Sequence, residues 1–294
     1  MGTTHITTGE NKSSRAKTLG ARVLAYAFLA LVTLLSLFPL ILLIINSTRS
    51  NVDLTQGFSI IPGDYFIKNL TKAWNDTNLF TIPRGMINSF IIAASASLLT
   101  SYFSAMTAYG IHVYDFKGKK LAFNFILIIM MIPTQISAVG FLKLIGSFGM
   151  NNTYWPLIIP SIAAPSVFFY MKQYMQSTMP LEVIEAARVD GSNEFMTFNK
   201  IALPMLKPAL AVQIIFAFVA SWNNFFTPAL VLSKSEKWTL PIMISVLRSN
   251  LNSNMGDLGE VYMMIMLSIL PVIVVYFFVS KYIVQGVALG AVKG

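Results

Sequence analysis

The stretch PLEVIEAARVDGSNEFMTFNKIALP, residues 180–204, decides the reading of this chain. Pro180 suits the start of a helix, and Glu182 in the first turn complements the helix dipole. A short helix then runs through Glu185, Ala186, Ala187, Arg188 and Val189. Asp190-Gly191 ends it, because glycine accepts the left-handed backbone that closes a helix. Ser192 is placed to cap a second short helix reaching about Ile201, which Leu203-Pro204 stops. Pro208 opens the apolar run that follows. The segment of about residues 175–207 therefore predicts a compact helix–turn–helix.

What surrounds this segment is apolar. Of the 294 residues, 55% are hydrophobic and 11% charged, against about 25% charged in soluble domains. The mean hydropathy is +0.66. A bilayer core needs about 20 apolar residues per helix. Six stretches reach that length: Ala21–Asn46, Met86–Ile111, Leu121–Ile145, Tyr154–Tyr174, Ala209–Leu232 and Val261–Gln285. The first exceeds the 7–15 apolar residues of a secretory signal and has no small-residue cleavage site after it, so it reads as a retained span. The fold expected is an all-α integral membrane protein with six transmembrane helices.

Charge gives the direction. With both termini inside, the inner segments carry 13 basic residues, among them Lys12, Arg15, Lys17, Arg22, Lys117, Lys119, Lys120 and Arg188, against 8 outside. The positive-inside rule then puts both termini and residues 175–207 in the cytoplasm. The polar stretch 1–20 reads as a flexible cytoplasmic tail, and residues 21–294 as the membrane domain. The long outer segments are Ser47–Arg84, with Tyr65, Phe66 and Trp74, and Ser233–Glu260.

Inside the spans, Ala93, Ser97, Ser101, Ser104 and Ala108 form a small-residue face at helical spacing, which suits close helix packing. Proline interrupts several spans, at Pro133, Pro156, Pro160, Pro165 and Pro271. In the fifth, Gln213, Ala217, Ser221 and Asn224 share a face with Asn223 adjacent. These polar groups either bond to neighbouring helices or line a polar pathway, where amides suit hydroxyl-rich ligands.

Several chemistries are excluded. The net charge of +9 sits in short loops between spans and no basic surface domain is visible, so nucleic acid is not expected as a partner. With no cysteine and two widely separated histidines, His5 and His112, no metal site is expected. No span has a central ionisable residue, which counts against a proton-coupled pump. Gly118-Lys119-Lys120 lacks the loop and hydroxyl of an ATP-binding motif, and no catalytic constellation is present, so the chain reads as no enzyme.

The spacing Glu185-Ala186-Ala187, three residues, Gly191, nine residues, then Ile201-x-Leu203-Pro204 resembles the EAA loop of ABC importer permeases at every fixed position. Asp190 and Phe198 match the form found in sugar permeases. Trp222-Asn223-Asn224-Phe225-Phe226, the later Thr239-Leu240-Pro241, and the ending Lys281–Gly286 and Gly290–Gly294 are similar to carbohydrate permeases. Over about Ala21 to Gly294 the chain resembles the smaller permease subunit of maltose-type sugar importers.

The resemblance implies a type I permease fold in the bacterial cytoplasmic membrane. It implies a heterodimer with a second permease, a dimer of ATP-binding subunits that hold ATP and magnesium, and an extracytoplasmic solute-binding protein that contacts Ser233–Asn254. It assigns Glu185, Ala186, Ala187, Asp190, Gly191, Ile201, Leu203 and Pro204 to a coupling loop seated in an ATPase cleft, with both alanines allowing close seating. It places Gly290, Lys293 and Gly294 against the ATPases. It leaves Gln213, Ser221, Asn223 and Asn224 as candidates for the translocation path, and the cargo as a sugar or small oligosaccharide. The same architecture importing a polyol or glycerol-phosphate is an alternative. A secondary transporter acting alone is another, and it would be indifferent to changes at Glu185 or Gly191.

Overall fold

The computed structural model describes residues 10–75, 81–133, 135–251 and 256–291. Among them there are helices and turns but no strand. In chain order the helices are α1 (Glu10–Ser47), α2 (Asn51–Thr55), α3 (Phe66–Asn75), α4 (Ile82–Val113), α5 (Lys119–Met130), α6 (Ala138–Ser147), α7 (Trp155–Ile158), α8 (Pro165–Thr178), α9 (Leu181–Val189), α10 (Glu194–Thr197), α11 (Leu203–Met205), α12 (Lys207–Trp222), α13 (Phe226–Val231), α14 (Leu240–Leu251) and α15 (Leu258–Ala291). Residues 10–20, expected as part of a flexible tail, form the first turns of α1.

Three helices are long and apolar enough to cross a bilayer unbroken, within Leu19–Ser47, Ile82–Val113 and Leu258–Phe278. The other three expected spans are each broken. Leu121–Ile145 divides into α5 and α6 around Pro133, where the amides of Met131 and Ile132 turn to carbonyls three residues back at 3.0 and 3.1 Å. Tyr154–Tyr174 divides at Ala163-Ala164, before Pro165, and Ala209–Leu232 divides at residues 223–225. Proline alone does not decide this, since α1 and α15 run on through Pro39 and Pro271.

The fourth segment is held by α4. Proline at 165 has no amide to give the carbonyl of Ser161, four residues back. That carbonyl accepts the Thr100 hydroxyl at 2.7 Å instead, and the Ser161 hydroxyl reaches the Ala96 carbonyl at 3.3 Å. A broken helix survives in an apolar setting when a neighbour satisfies its freed groups. The close approach rests on the small face: Ala93, Ser97, Ser101, Ser104 and Ala108 are each no more than 2% exposed. Through it α4 packs against α8 and α12, and α15 packs against α12 and α1.

The molecule has two poles. At the first, the Asn69 amide donates to the Ser47 and Arg49 carbonyls, each at 2.9 Å, and Lys72 pairs with Asp257 and Glu260 at 2.9 and 3.3 Å. The Asn88 amide there donates to the carbonyls of Glu236 and Trp238, and the Ser89 hydroxyl accepts the Leu240 amide. At the second pole the end of α4 meets residues 179–199: His112 lies 3.2 Å from the Met179 carbonyl and Tyr102 donates to Asn199 at 3.1 Å. Along α1, Leu19 to Ile41 are exposed on all sides, an apolar helix uncovered by this chain.

Candidate functional site

The segment that opened the sequence reading forms the second pole, and its turn follows local rules. Helix α9 ends with Gly191 at φ +79°. The amide of Ser192 bonds to the Ala187 carbonyl and that of Gly191 to the Arg188 carbonyl, both at 3.0 Å. This is the paired Schellman closure, which needs a left-handed residue where glycine stands. Pro180 is the residue before the first helical one.

Two expectations are corrected. The cap of the second helix is Asn193, whose side chain accepts the Met196 amide at 2.8 Å. Asn193 has the extended backbone of a cap, and its carbonyl accepts the Thr197 amide at 2.8 Å as the first bond of α10. Nor does Leu203-Pro204 stop the helix. Residues Phe198–Ala202 form a wide π-turn and the chain stays helical through Met205. A proline ring collides with the carbonyl four residues back, and the wider turn gives it room. The stop comes at the fully buried Leu206, where the path bends by 83° into α12.

The unit has an inner and an outer face. Ile184 points inward, into a core with Met175, Met179, Phe198, Ala202 and Leu206, and with Ala105, Ala108 and Tyr109 of α4, and Ala187 is buried as well. Glu185, Ala186, Asp190 and Gly191 lie on the exposed side, beside Val189 at 87% and Phe195 at 69% exposure. The two alanines thus part company, and only Ala186 is available to a partner. Ile201 and Leu203 are half-buried and Pro204 is exposed.

Sequence reasoning missed the charged cluster that closes the unit. Arg188 Nε donates to Glu194 Oε1 at 2.7 Å, and the Tyr109 hydroxyl donates to Glu194 Oε2 at 3.2 Å. The Arg188 guanidinium lies 5.4 Å from the centre of the Tyr114 ring. The Arg188 hydrogen bond, then that of Tyr114, with a smaller one from Tyr109, hold the Glu194 carboxyl below its ordinary range. The same carboxylate raises the Tyr114 hydroxyl, for which burial is the larger cause. Six residues separate Arg188 from Glu194 across a glycine turn, a spacing no single-helix rule would flag.

The candidate translocation residues separate as well. Ser221 and Asn224 line a cavity of about 540 Å³ with Thr100, Phe141, Ser161 and Thr227. Asn223 lines a second, of about 710 Å³, with Trp222, Phe225, Ser245, Arg248 and Ser249. Gln213 is buried on α12 and lines neither. The Asn224 side-chain oxygen also accepts the Thr227 amide, at 3.3 Å. Gly290 is in the last turn of α15, while Lys293 and Gly294 lie outside the described residues. Among the described residues no three acidic or histidine side chains are grouped to hold a metal.

Residues 102–289, which contain the whole second pole, match the family described as binding-protein-dependent transport system inner membrane component. The arabinooligosaccharides transport system permease protein AraQ of Bacillus subtilis (strain 168) is 34% identical over 278 residues, 93% of this chain and 96% of that one. The lactose transport system permease protein LacG of Rhizobium radiobacter is 28% identical, over 92% of this chain and 96% of that one. Among solved structures, a chain of a bacterial ABC transporter involved in the import of the acidic polysaccharide alginate superposes with a TM-score of 0.75, at 23% identity, covering 96% of this chain and all of that one.

This chain belongs to the family of binding-protein-dependent transport system inner membrane components. It is an integral membrane subunit of a transporter and carries out no catalysis of its own.

Proposed function

We propose that this chain is one of two permease subunits of an ATP-driven, binding-protein-dependent importer of a sugar or small oligosaccharide, and that α9, Gly191 and α10 form its coupling element. One observation carries the reading. The unit is packed and closed on its inner face yet presents Val189, Phe195, Ala186 and Glu185 together on an exposed pole. A partner protein is a natural cover for large apolar side chains left exposed in this way. In this reading the ATPases bind ATP and magnesium, seat α9 in a cleft, and drive alternating access by closing.

The alternation of the poles supports six crossings with both termini cytoplasmic. Helix α4 begins at the first pole and ends at the second, where α8 also ends. Helix α12 begins at the second pole, directly after the coupling element, and α15 begins at the first. Helix α1 ends at the first pole. The three broken segments then count as spans interrupted by a break. The first pole faces outward, and residues 233–251 there, the described part of 233–254, are the surface for the binding protein. The apolar length of α1 meets lipid and the second permease.

For the cargo, relatives named for arabinooligosaccharides, lactose, melibiose, raffinose and stachyose, and maltodextrin favour a sugar. One observation keeps an anionic cargo as a second reading: Arg248 lines the same cavity as Asn223. The test is uptake by the complete importer in proteoliposomes, with Glu185→Lys and Gly191→Pro as variants and neutral and acidic oligosaccharides as competitors. Loss of uptake and ATPase association in both variants supports the coupling role. Survival of both would favour a transporter working alone, and competition by acidic sugars only would move the cargo to anions.

A further inference from the structure

The turn between α9 and α10 is already complete without its charged cluster. Gly191 closes one helix and Asn193 caps the next. The Arg188–Glu194 pair adds something else, because the same carboxylate holds a third element. One oxygen of Glu194 accepts from Arg188 of α9 at 2.7 Å and the other from Tyr109 of α4 at 3.2 Å. Helix α9 is joined by the chain to α8 and α10, but its tie to α4 bridges 85 residues of sequence at this carboxylate.

A second tie lies alongside. Asn199 of the π-turn accepts from Tyr102 at 3.1 Å and donates to the Phe195 carbonyl at 2.8 Å. The Phe198 ring stands 5.7 Å from that of Tyr102 and 5.3 Å from that of Tyr109. Two residues of α4, Tyr102 and Tyr109, two helical turns apart, thus grip the same short segment. Hydrogen bonds to a charged group are the strong ones, and Glu194 is the charged member of this grip.

We infer that Glu194 is a positioning residue, a latch that makes the coupling element and α4 one rigid body, so that a push on α9 is delivered to α4. Helix α4 is the right recipient. Its small face is in contact with α8 and α12, and its residues Thr100 and Ile92 line the first cavity. The inference rests on the coupling reading above, and it adds the route by which the stroke reaches the spans. A purely stabilising Glu194 would contribute to folding but leave uptake and hydrolysis in fixed proportion.

Because the chain has no cysteine, paired spin labels can be placed at Glu182→Cys on α9 and Thr107→Cys on α4 without background from this chain. Distances are measured in the complete importer in proteoliposomes. ATP hydrolysis and uptake are measured in parallel on unlabelled Glu194→Ala, Glu194→Gln and Tyr109→Phe. The expected result is a narrow distance distribution in the parent and a broad one in Glu194→Ala. Uptake per ATP hydrolysed should fall by about threefold or more, the scale of effect found along coupling routes, with the ATPase still co-purifying. Glu194→Gln and Tyr109→Phe, which keep the packing, should fall between. An unchanged distance distribution, or hydrolysis and uptake falling in equal proportion, would overturn the latch. Failure of the parent chain to hold an ATPase would instead overturn the coupling reading, and the distances would still report on the latch.

Discussion

The two poles are held together by different means. The first is pinned by buried amides reaching backbone carbonyls: Asn69 to Ser47 and Arg49, and Asn88 to Glu236 and Trp238. The second is bound to the bundle by the Arg188–Glu194 cluster and an apolar core, while ion pairs and exposed large apolar side chains occur at both poles. A buried amide fixes a loop to one position, since moving it orphans its partners. A unit gripped along one face and bare on the other can be carried by a partner as a single piece. On the coupling role proposed above, the second pole is the end on which force acts and the first is the frame.

The strongest way to break the contrast is to charge the bare face. Val189→Asp with Phe195→Asp should reduce ATPase co-purification by about tenfold or more, as expected when central apolar anchors of an interface are lost, while thermal unfolding of the chain stays near the parent. The frame should answer in the opposite sense. Asn69, 3% exposed, gives up two hydrogen bonds in Asn69→Ala. The variant should unfold with about 2–4 kcal/mol less stability and keep its ATPase.

Glycines sharpen the comparison at smaller amplitude. A Cβ at Gly259 would stand 2.7 Å from Asn69 Nδ2 and 2.9 Å from the Arg49 carbonyl, whereas Gly191 has nothing within 4 Å and only its φ of +79° to protect. Gly259→Ala should therefore cost about 1–3 kcal/mol through overpacking, and Gly191→Ala about 1 kcal/mol through backbone strain. Thermal unfolding of the two variants in matched detergent checks the order.

The smallest effect is that of pH. The folded pKa of Glu194 is depressed, chiefly by Arg188, with Tyr114 and Tyr109 assisting. A depressed carboxyl contributes its stability above the unfolded value and loses it only as pH falls through the folded one. The α9–α4 distance distribution should thus stay narrow on acidification to the ordinary Glu range of about 4.3 and broaden below it. In Glu194→Gln that dependence should be absent.

Much of the second pole was legible because its rules are local. Gly191 needs only its own backbone, and the small face of α4 needs only helical spacing. Errors came where two local rules competed. Ser192 and Asn193 are both good caps, and the backbone decides between them, since Ser192 belongs to the closing turn of α9 and the extended Asn193 accepts the first bonds of α10. Prolines at 39, 133 and 271 look alike in sequence, yet only the segment at 133 breaks. The Glu194–Tyr109 bond, across 85 residues, and the separation of Asn223 from Asn224 into two cavities follow from packing alone.

The most direct test of the central claim uses a single cysteine at Val189, in a chain that has none of its own. A short bifunctional reagent is applied to the complete importer, with uptake measured before and after. The account expects a cross-link from Val189 to the ATP-binding subunit, and uptake lost when it forms and restored when it is cleaved. No cross-link from Val189, with efficient cross-linking from a cysteine at Lys117 instead, would contradict it.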